Sequence, residues 1–196
     1  MPKQLYSNIM NGYTAKACNA VEQNPDFANA HFIHLASGIT ALSTACRFRR
    51  HDIAAFLLAH KAKINDTDNQ GKTALFYAVA HFDAHSGSTA LLQMLLDHGA
   101  DTSLLFEIPI PEKPSKDYFC FNCTGVADDG TNEPSRDLTN RYSLVVYRQK
   151  KLTALEIAET FKLQAAVEIL QSHALKKASA ASCSIQVEEL SPGLKI

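Results

Sequence analysis

The sequence repeats itself with a period of 33 residues. Residues 38–45 read GITALSTA, residues 71–78 read GKTALFYA, and a third copy, KLTALEIA, occupies residues 151–158. In each copy the Ala-Leu-x-x-Ala spacing places small and large apolar side chains on one helical face, and the preceding Thr is a good helix N-cap. A chain with such a period stacks similar units in a row, because one unit alone does not bury its apolar face.

A second apolar run follows each copy, so each unit is predicted to be a helix, a turn and a helix. The runs are IAAFLL at residues 53–58, LLQMLL at residues 91–96 and AAVEIL at residues 165–170. Between units, residues 65–71 read NDTDNQG and consist mainly of turn-forming residues. This segment is predicted to form an exposed finger between successive helix pairs.

The repeat resembles the ankyrin repeat family, whose units have about 33 residues and a Thr-Pro-Leu-His-x-Ala signature. This chain keeps the Thr and the Leu, has Ala in place of Pro, and replaces the signature His by Ser43, Phe76 and Glu156. In the family that His helps to tie neighbouring fingers together, so the resemblance implies that packing carries more of the cohesion here. It also implies an all-α solenoid of about four helix-turn-helix units.

Six segments are expected along the chain. They are a degenerate N-terminal capping repeat at 1–37, a repeat at 38–70, a repeat with a lengthened inter-helix loop at 71–103, an insertion at 104–150, a C-terminal repeat at 151–174 and a flexible tail at 175–196. The insertion has aromatic and β-branched runs on both sides of a turn cluster at residues 128–132. That pattern predicts a β-hairpin between the last two repeats.

Composition excludes several classes of partner. Nineteen Lys and Arg against twenty Asp and Glu give a net charge of -1, so no general field favours nucleic acid or an anionic membrane. The longest apolar run has seven residues, whereas roughly 20 are needed to span a bilayer. Five cysteines, with no signal-peptide pattern at residues 1–13, favour a reducing cytoplasmic compartment.

A cysteine-dependent enzyme is an alternative function. Cys46 with His51 or His60, and with Asp52 close by, supplies the residue types of nucleophilic catalysis. Sequence spacing does not supply the geometry, and Cys46 directly follows an alanine of the repeat. We therefore expect it to be a core residue, and we expect no enzymatic activity.

A zinc site is a second alternative. Cys120 and Cys123 offer two thiolates, but structural zinc takes four ligands. His81 and His85, four residues apart, would have to complete the set from a different unit. We expect no metal and no other cofactor.

The family resemblance implies a non-enzymatic scaffold or adaptor, expected to be a monomer, that binds a protein partner through its concave face, its fingers and the insertion. The predicted contact residues are Ser43, Arg47, Phe48, Asp66, Asp68, Asn69, Gln70, Phe76, His81, Tyr118, Phe119, Phe121 and Tyr147. The tail, with the Glu188-Glu189 pair, also resembles the C-terminal translocation signals of bacterial type IV secretion effectors, many of which carry ankyrin repeats. An effector delivered into a host cytosol is therefore an alternative.

Overall fold

A computed structural model describes residues 2–32, 35, 37–82, 87–111 and 147–188. Within these residues, eight α-helices form four successive pairs. The pairs are α1 (Pro2–Asn11) with α2 (Thr14–Gln23), α3 (Ala41–Arg47) with α4 (His51–Ala59), α5 (Ala74–Ala80) with α6 (Ser88–Asp97), and α7 (Ala154–Thr160) with α8 (Gln164–Glu188). A 3-10 helix, Pro25–Asn29, follows α2, and strands β1 (Phe106–Pro111) and β2 (Tyr147–Leu152) precede the last pair.

The helices form two rows. In the first row α1, α3, α5 and α7 contact one another in chain order, and in the second row α2, α4, α6 and α8 do the same. The two helices of each pair also contact each other, so each pair contributes one helix to each row. The predicted all-α solenoid of four helix-turn-helix units is confirmed.

The hydrophobic core runs between the two rows. Leu42 and Leu75 of the first row and Leu57 and Leu92 of the second row are at most 1% exposed. Burying one such leucine contributes about 2 kcal/mol relative to leaving it in water. The alanines of the repeat are buried as well, and their small size lets neighbouring helices approach closely.

The threonine of each repeat begins a helix, as the sequence predicts. Thr40 Oγ1 accepts a hydrogen bond at 3.0 Å, and Thr73 Oγ1 one at 3.5 Å, from the backbone N–H three residues later. In the last repeat Thr153 and Glu156 form a reciprocal capping box, with the Thr153 N–H donating to Glu156 Oε2 at 2.8 Å. Each cap satisfies a backbone donor that a helix start would leave unpaired.

Two asparagines join neighbouring units through hydrogen bonds to backbone groups. The Asn29 side chain bonds to residues 61–63 of the next unit, at 2.8 and 3.4 Å. The Asn65 side chain bonds in the same way to residues 99–101, at 2.9 and 3.4 Å. The absence of the signature His predicts that packing carries more of the cohesion, and these amides supply additional polar ties.

The predicted hairpin is an antiparallel pair of strands. The register runs from Phe106 opposite Leu152 to Pro111 opposite Tyr147. Phe106, Ile108 and Leu152 are at most 2% exposed, so the base of the hairpin packs on the repeats. Residues 112–146 lie outside the described part of the chain.

The last helix continues well into the predicted flexible tail. Helix α8 extends to Glu188, whereas the sequence analysis expected a loosely held segment from residue 175. Residues 174–181 read ALKKASAA, and Ala, Leu and Lys are strong helix formers. A helix already anchored by the packed residues Ala166 and Leu170 therefore propagates beyond the repeat. Residues 189–196 lie outside the described part.

Several turns after helices need a left-handed backbone. Gly99 after α6 has φ of 86°, and the equivalent turn after α4 places Lys61 at φ of 62°. A side chain in this region costs about 1 kcal/mol relative to glycine, because its Cβ crowds the following carbonyl oxygen. The two turns are therefore alike in shape but differ in strain.

This difference predicts opposite effects of two substitutions. Lys61→Gly should raise the free energy of unfolding by about 1 kcal/mol, and Gly99→Ala should lower it by about the same amount. An added Cβ at Gly99 meets nothing within 4 Å, so its cost is one of backbone conformation alone. Urea unfolding followed by circular dichroism measures both changes. A lower stability of Lys61→Gly would contradict the strain argument.

Candidate binding surface

Two fingers project between the first-row helices. The first finger, residues 31–40, closes with a bridge between His31 and Thr40. The second finger, residues 65–72, lies beside it, and the backbone N–H of Asn69 donates to the Ser37 carbonyl at 2.9 Å. The strands β1 and β2 occupy the corresponding place in the next unit. The fingers therefore contact each other through their backbones.

Gly38 allows the fingers to approach closely. Its φ is 57°, and a Cβ at this position would lie 2.7 Å from the side-chain amide of Asn69. The backbone conformation therefore favours glycine here, and an added Cβ would require the exposed Asn69 side chain to move. The leading glycine of the repeat thus has a role in joining neighbouring fingers.

A histidine and an aspartate form a second tie between the fingers. His31 Nε2 lies 2.9 Å from Asp66 Oδ2, and His31 Nδ1 lies 3.2 Å from the Gly38 carbonyl oxygen. Both ring nitrogens face acceptors, so the doubly protonated ring can donate to both at once. Asp66, a predicted contact residue, is thus half-buried and shared with the neighbouring finger.

The second finger is anchored to α5 through a buried carboxylate. Asp68 is 5% exposed, and its Oδ1 accepts from the backbone N–H groups of Gln70 and Lys72 at 2.8 and 2.9 Å. Its Oδ2 accepts from the Tyr77 hydroxyl at 2.6 Å. One carboxylate therefore fixes both the shape of the finger and its position on the helix.

Two cations, Lys72 and Arg47, lie near the second finger. The Lys72 ammonium donates to Gln70 Oε1 at 2.8 Å and lies 4.9 Å from the centroid of the Phe76 ring. Burial lowers the pKa of Lys72, the Asp68 carboxylate opposes this shift, and the nearby Arg47 adds to it. The Arg47 guanidinium lies 5.6 Å from the centroid of the Phe48 ring. We call Arg47, Lys72 and the amides Asn69 and Gln70 the concave patch.

Several predicted contact residues lie at this surface. Asn69 and Gln70 are exposed, and Arg47, Asp66 and His81 are half-buried. The His81 ring is nearly parallel to the Tyr77 ring, with 6.3 Å between centroids. The assignment of these five residues to a partner contact stays a prediction.

Other predicted contact residues lie inside the stack. Ser43 is 0% exposed and Phe76 is 2% exposed, so neither side chain presents a surface to a partner. Phe76 packs on Phe106 and the neighbouring Tyr77 bonds to the finger, so both side chains are buried.

Phe48 is half-buried and packs edge-on against Tyr6 of the first helix pair, with 6.4 Å between ring centroids, and its assignment to a partner contact stays a prediction. Asp68 differs from the expectation of an open contact residue. Asp68 is buried because its carboxylate is already satisfied within the finger and by α5. Tyr118, Phe119 and Phe121 lie outside the described residues, and Tyr147 is the first residue of β2.

The proposed nucleophile Cys46 is in the core. It is 0% exposed, and burial raises the pKa of its thiol far above the ordinary value. Such a thiol is neither accessible nor ionised at neutral pH. Cys18 is half-buried, and its pKa is also raised, mainly by burial. This environment argues against the cysteine-enzyme alternative at Cys46.

The zinc alternative has no test in the described residues. Cys120, Cys123 and His85 lie outside them, and among the described residues no group of three or more potential ligands is close enough to hold a metal ion. In the same part of the chain, no helix has the length and apolarity required to cross a membrane.

Comparison with known proteins decides the family. The family model described as ankyrin repeats (3 copies) matches residues 7–104, half of the chain. The chain belongs to the ankyrin repeat family. Ankyrin repeats are a protein-interaction module, and the family is generally non-enzymatic.

Comparison with curated protein sequences and with solved structures adds little for this ankyrin repeat chain. No curated protein sequence matches it. Among solved structures, it is similar to a chain from the Bd0816 predatory endopeptidase of Bdellovibrio bacteriovorus in complex with immunity protein Bd3460. The identity is 20%, the coverage is 86% of this chain and 96% of that chain, and the TM-score is 0.45. Such a distant likeness transfers neither partner nor activity.

Sequence reasoning missed the residues that hold the ankyrin fingers in place. His31, Lys72 and Tyr77 were not among the predicted contacts, although each touches the fingers. A usable signal was present, since Asp68 is followed by a Lys four residues later and by a Tyr nine residues later. Only the fold shows that Lys72 and Tyr77 both bond to the Asp68 carboxylate, whereas His31 bonds to Asp66.

The buried Tyr77 hydroxyl leads to a prediction about alkaline pH. Burial, followed by the hydrogen bond to Asp68 and its negative charge, raises the pKa of Tyr77 far above its ordinary value. The stabilisation that the protonated Tyr77 hydroxyl contributes to the folded state is therefore fully present below about pH 10 and is lost as the pH rises further. Tyr77→Phe should lower the free energy of unfolding by about 2 kcal/mol at pH 7, with a smaller deficit above pH 10.

Urea unfolding at pH 7 and at several values above pH 10 measures this difference. The matched control is Tyr13→Phe, since Tyr13 is 52% exposed and its hydroxyl is not buried. The control should change stability little at either pH. A Tyr77→Phe deficit that stays constant from neutral to alkaline pH would contradict the assignment.

Proposed function

We propose that this chain is a non-enzymatic adaptor that holds a protein partner on its concave patch, formed by the second finger and the first-row helices. The observation that carries the proposal is the triple anchoring of the second finger. It is tied to the first finger by Asn69 and Asp66, and to α5 by the bond between Asp68 and Tyr77. These ties fix the backbone that presents the exposed amides.

A surface fixed in this way is suited to binding. Association costs free energy whenever loops or long side chains must be ordered, and a preformed surface avoids much of that cost. Gln70 is exposed, yet its position is set by the backbone bond to Asp68 and by the Lys72 ammonium. The amides of the concave patch therefore lose little conformational entropy when a partner binds.

The charge of the patch indicates the chemistry of the partner. Asp68 already accepts three hydrogen bonds, and Arg47 and Lys72 lie near it. Asp66, the other carboxylate of this finger, is bonded to His31. The side chains of the concave patch itself are therefore cationic or neutral, although the chain as a whole is nearly neutral in charge. A partner that offers carboxylates and backbone carbonyls matches this surface.

The compartment and the effector alternative belong to the same proposal. Among the described residues Cys18 and Cys46 are free thiols, which is compatible with a reducing cytoplasm, either of the producing cell or of a host. The concave patch serves an adaptor in either setting. Deleting residues 188–196 and measuring translocation would separate the two settings, since an effector should lose delivery.

A capture experiment with point variants tests the adaptor function. The intact chain should retain a specific protein from a cell lysate, and Arg47→Glu should lose at least ten-fold of that capture, because it reverses a charge at the patch. Lys16→Glu is the matched control, since Lys16 is exposed on α2 in the second row. Circular dichroism has to show that both variants are folded.

A third variant distinguishes binding by the concave patch from binding by the insertion. Replacing residues 112–146 by a short Gly-Ser link keeps both strands of the hairpin. If this protein and the intact chain capture the partner equally while Arg47→Glu does not, the concave patch is the site. Equal capture by Arg47→Glu and Lys16→Glu would refute the proposed surface.

A further inference from the structure

The two edges of the β1–β2 hairpin differ in their ability to pair with another strand. Strand β1 contains Pro109 and Pro111, and proline has no backbone N–H to donate. In an antiparallel pair, successive residues point their backbone groups alternately toward the partner strand and away from it. Prolines occupy the outward positions, since an inward proline would remove a ladder bond. The free edge of β1 is therefore blocked.

The outer edge of β2 is open. Pro109 pairs with Gln149 and Pro111 with Tyr147, so by the same alternation residues 147, 149 and 151 point their backbone groups away from β1. Each of them retains its N–H. Within the described part of the chain, no backbone hydrogen bond joins β2 to anything other than β1.

The open edge is also accessible and basic. Gln149, Lys150 and Lys151 are exposed, and strand β2 reads YRQKKL, with three cations in six residues. One exposed carboxylate, Glu107, lies 3.6 Å from Lys151 and offsets part of this charge. The remaining charge is positive.

The charge distinguishes between possible occupants of this edge. A second copy of β2 would bring like charges opposite each other, and such pairs are destabilising. Lys150 and Lys151 are consecutive in β2 and lie on opposite faces of the sheet, so a strand with carboxylates at alternate positions would place them beside one of the two lysines, while its backbone extends the ladder by strand addition. The edge is therefore suited to an acidic extended segment and unsuited to self-pairing.

We propose that the outer edge of β2 binds an acidic, extended segment of the protein partner as a third strand. The inference rests on the proposed adaptor function, and it specifies the chemical character of one segment of the partner. Backbone bonds from residues 147, 149 and 151 provide the pairing, and Lys150 and Lys151 select for carboxylates. The concave patch and this edge then contact different parts of one partner.

A fluorescent eight-residue peptide of alternating Glu and Thr is the probe. It should bind the full chain, and the same peptide with Lys in place of Glu should bind at least ten-fold more weakly. The double substitution Lys150→Glu with Lys151→Glu should weaken binding of the Glu peptide by at least ten-fold. Fluorescence anisotropy at low and moderate salt measures these affinities.

One pair of substitutions isolates strand addition from simple charge attraction. Gln149→Pro removes an outward N–H and leaves the ladder to β1 intact, as Pro109 does on the other strand, whereas Gln149→Ala keeps the N–H. Gln149→Pro should lose at least ten-fold in affinity and Gln149→Ala should bind like the parent chain. Independently of any variant, the peptide should slow hydrogen exchange of the amides at residues 147, 149 and 151.

Four outcomes would overturn the proposal. Equal binding by Gln149→Pro and Gln149→Ala would leave only charge attraction, and a dimer in sedimentation that Gln149→Pro abolishes would make a second copy the occupant. Binding that appears only after residues 189–196 are deleted would mean that the chain covers its own edge. If the peptide fails while capture of a partner still depends on Arg47, the adaptor function stands and the strand-addition site does not.

Discussion

The structure depends on a constraint that applies to every unit: one helix pair buries its apolar side chains only against a neighbouring pair. Leu42 and Leu75 reach full burial because the rows continue on both sides of them. Stability is therefore a property of interfaces between units, and it is shared along the array.

Much of this architecture follows from the sequence alone. The 33-residue period and the capping threonines predict the helix pairs and their order, since both signals act within a few residues of each other in the chain. The insertion was predicted to be a hairpin from aromatic and β-branched runs at residues 118–123 and 142–147, which lie outside the described residues apart from Tyr147. The observed strands, 106–111 and 147–152, lie at the ends of the insertion.

The contacts between units were harder to predict, because they join residues far apart in the chain. Nothing in the sequence around Asn29 indicates a bond to residues 61–63, and nothing around Phe76 shows that its ring packs on Phe106. Burial of Ser43 and Phe76 is set by the neighbouring unit, so a prediction made within one repeat overestimates the surface. The extension of α8 was missed because small residues were interpreted as a tail.

The asparagine bonds give the array a direction. Asn29 and Asn65 each reach from their own unit to the backbone turn of the following one, and neither bond runs backward. Each turn is therefore held by a side chain that is synthesised before it. These bonds run in the direction of synthesis, from each unit to the one that follows it.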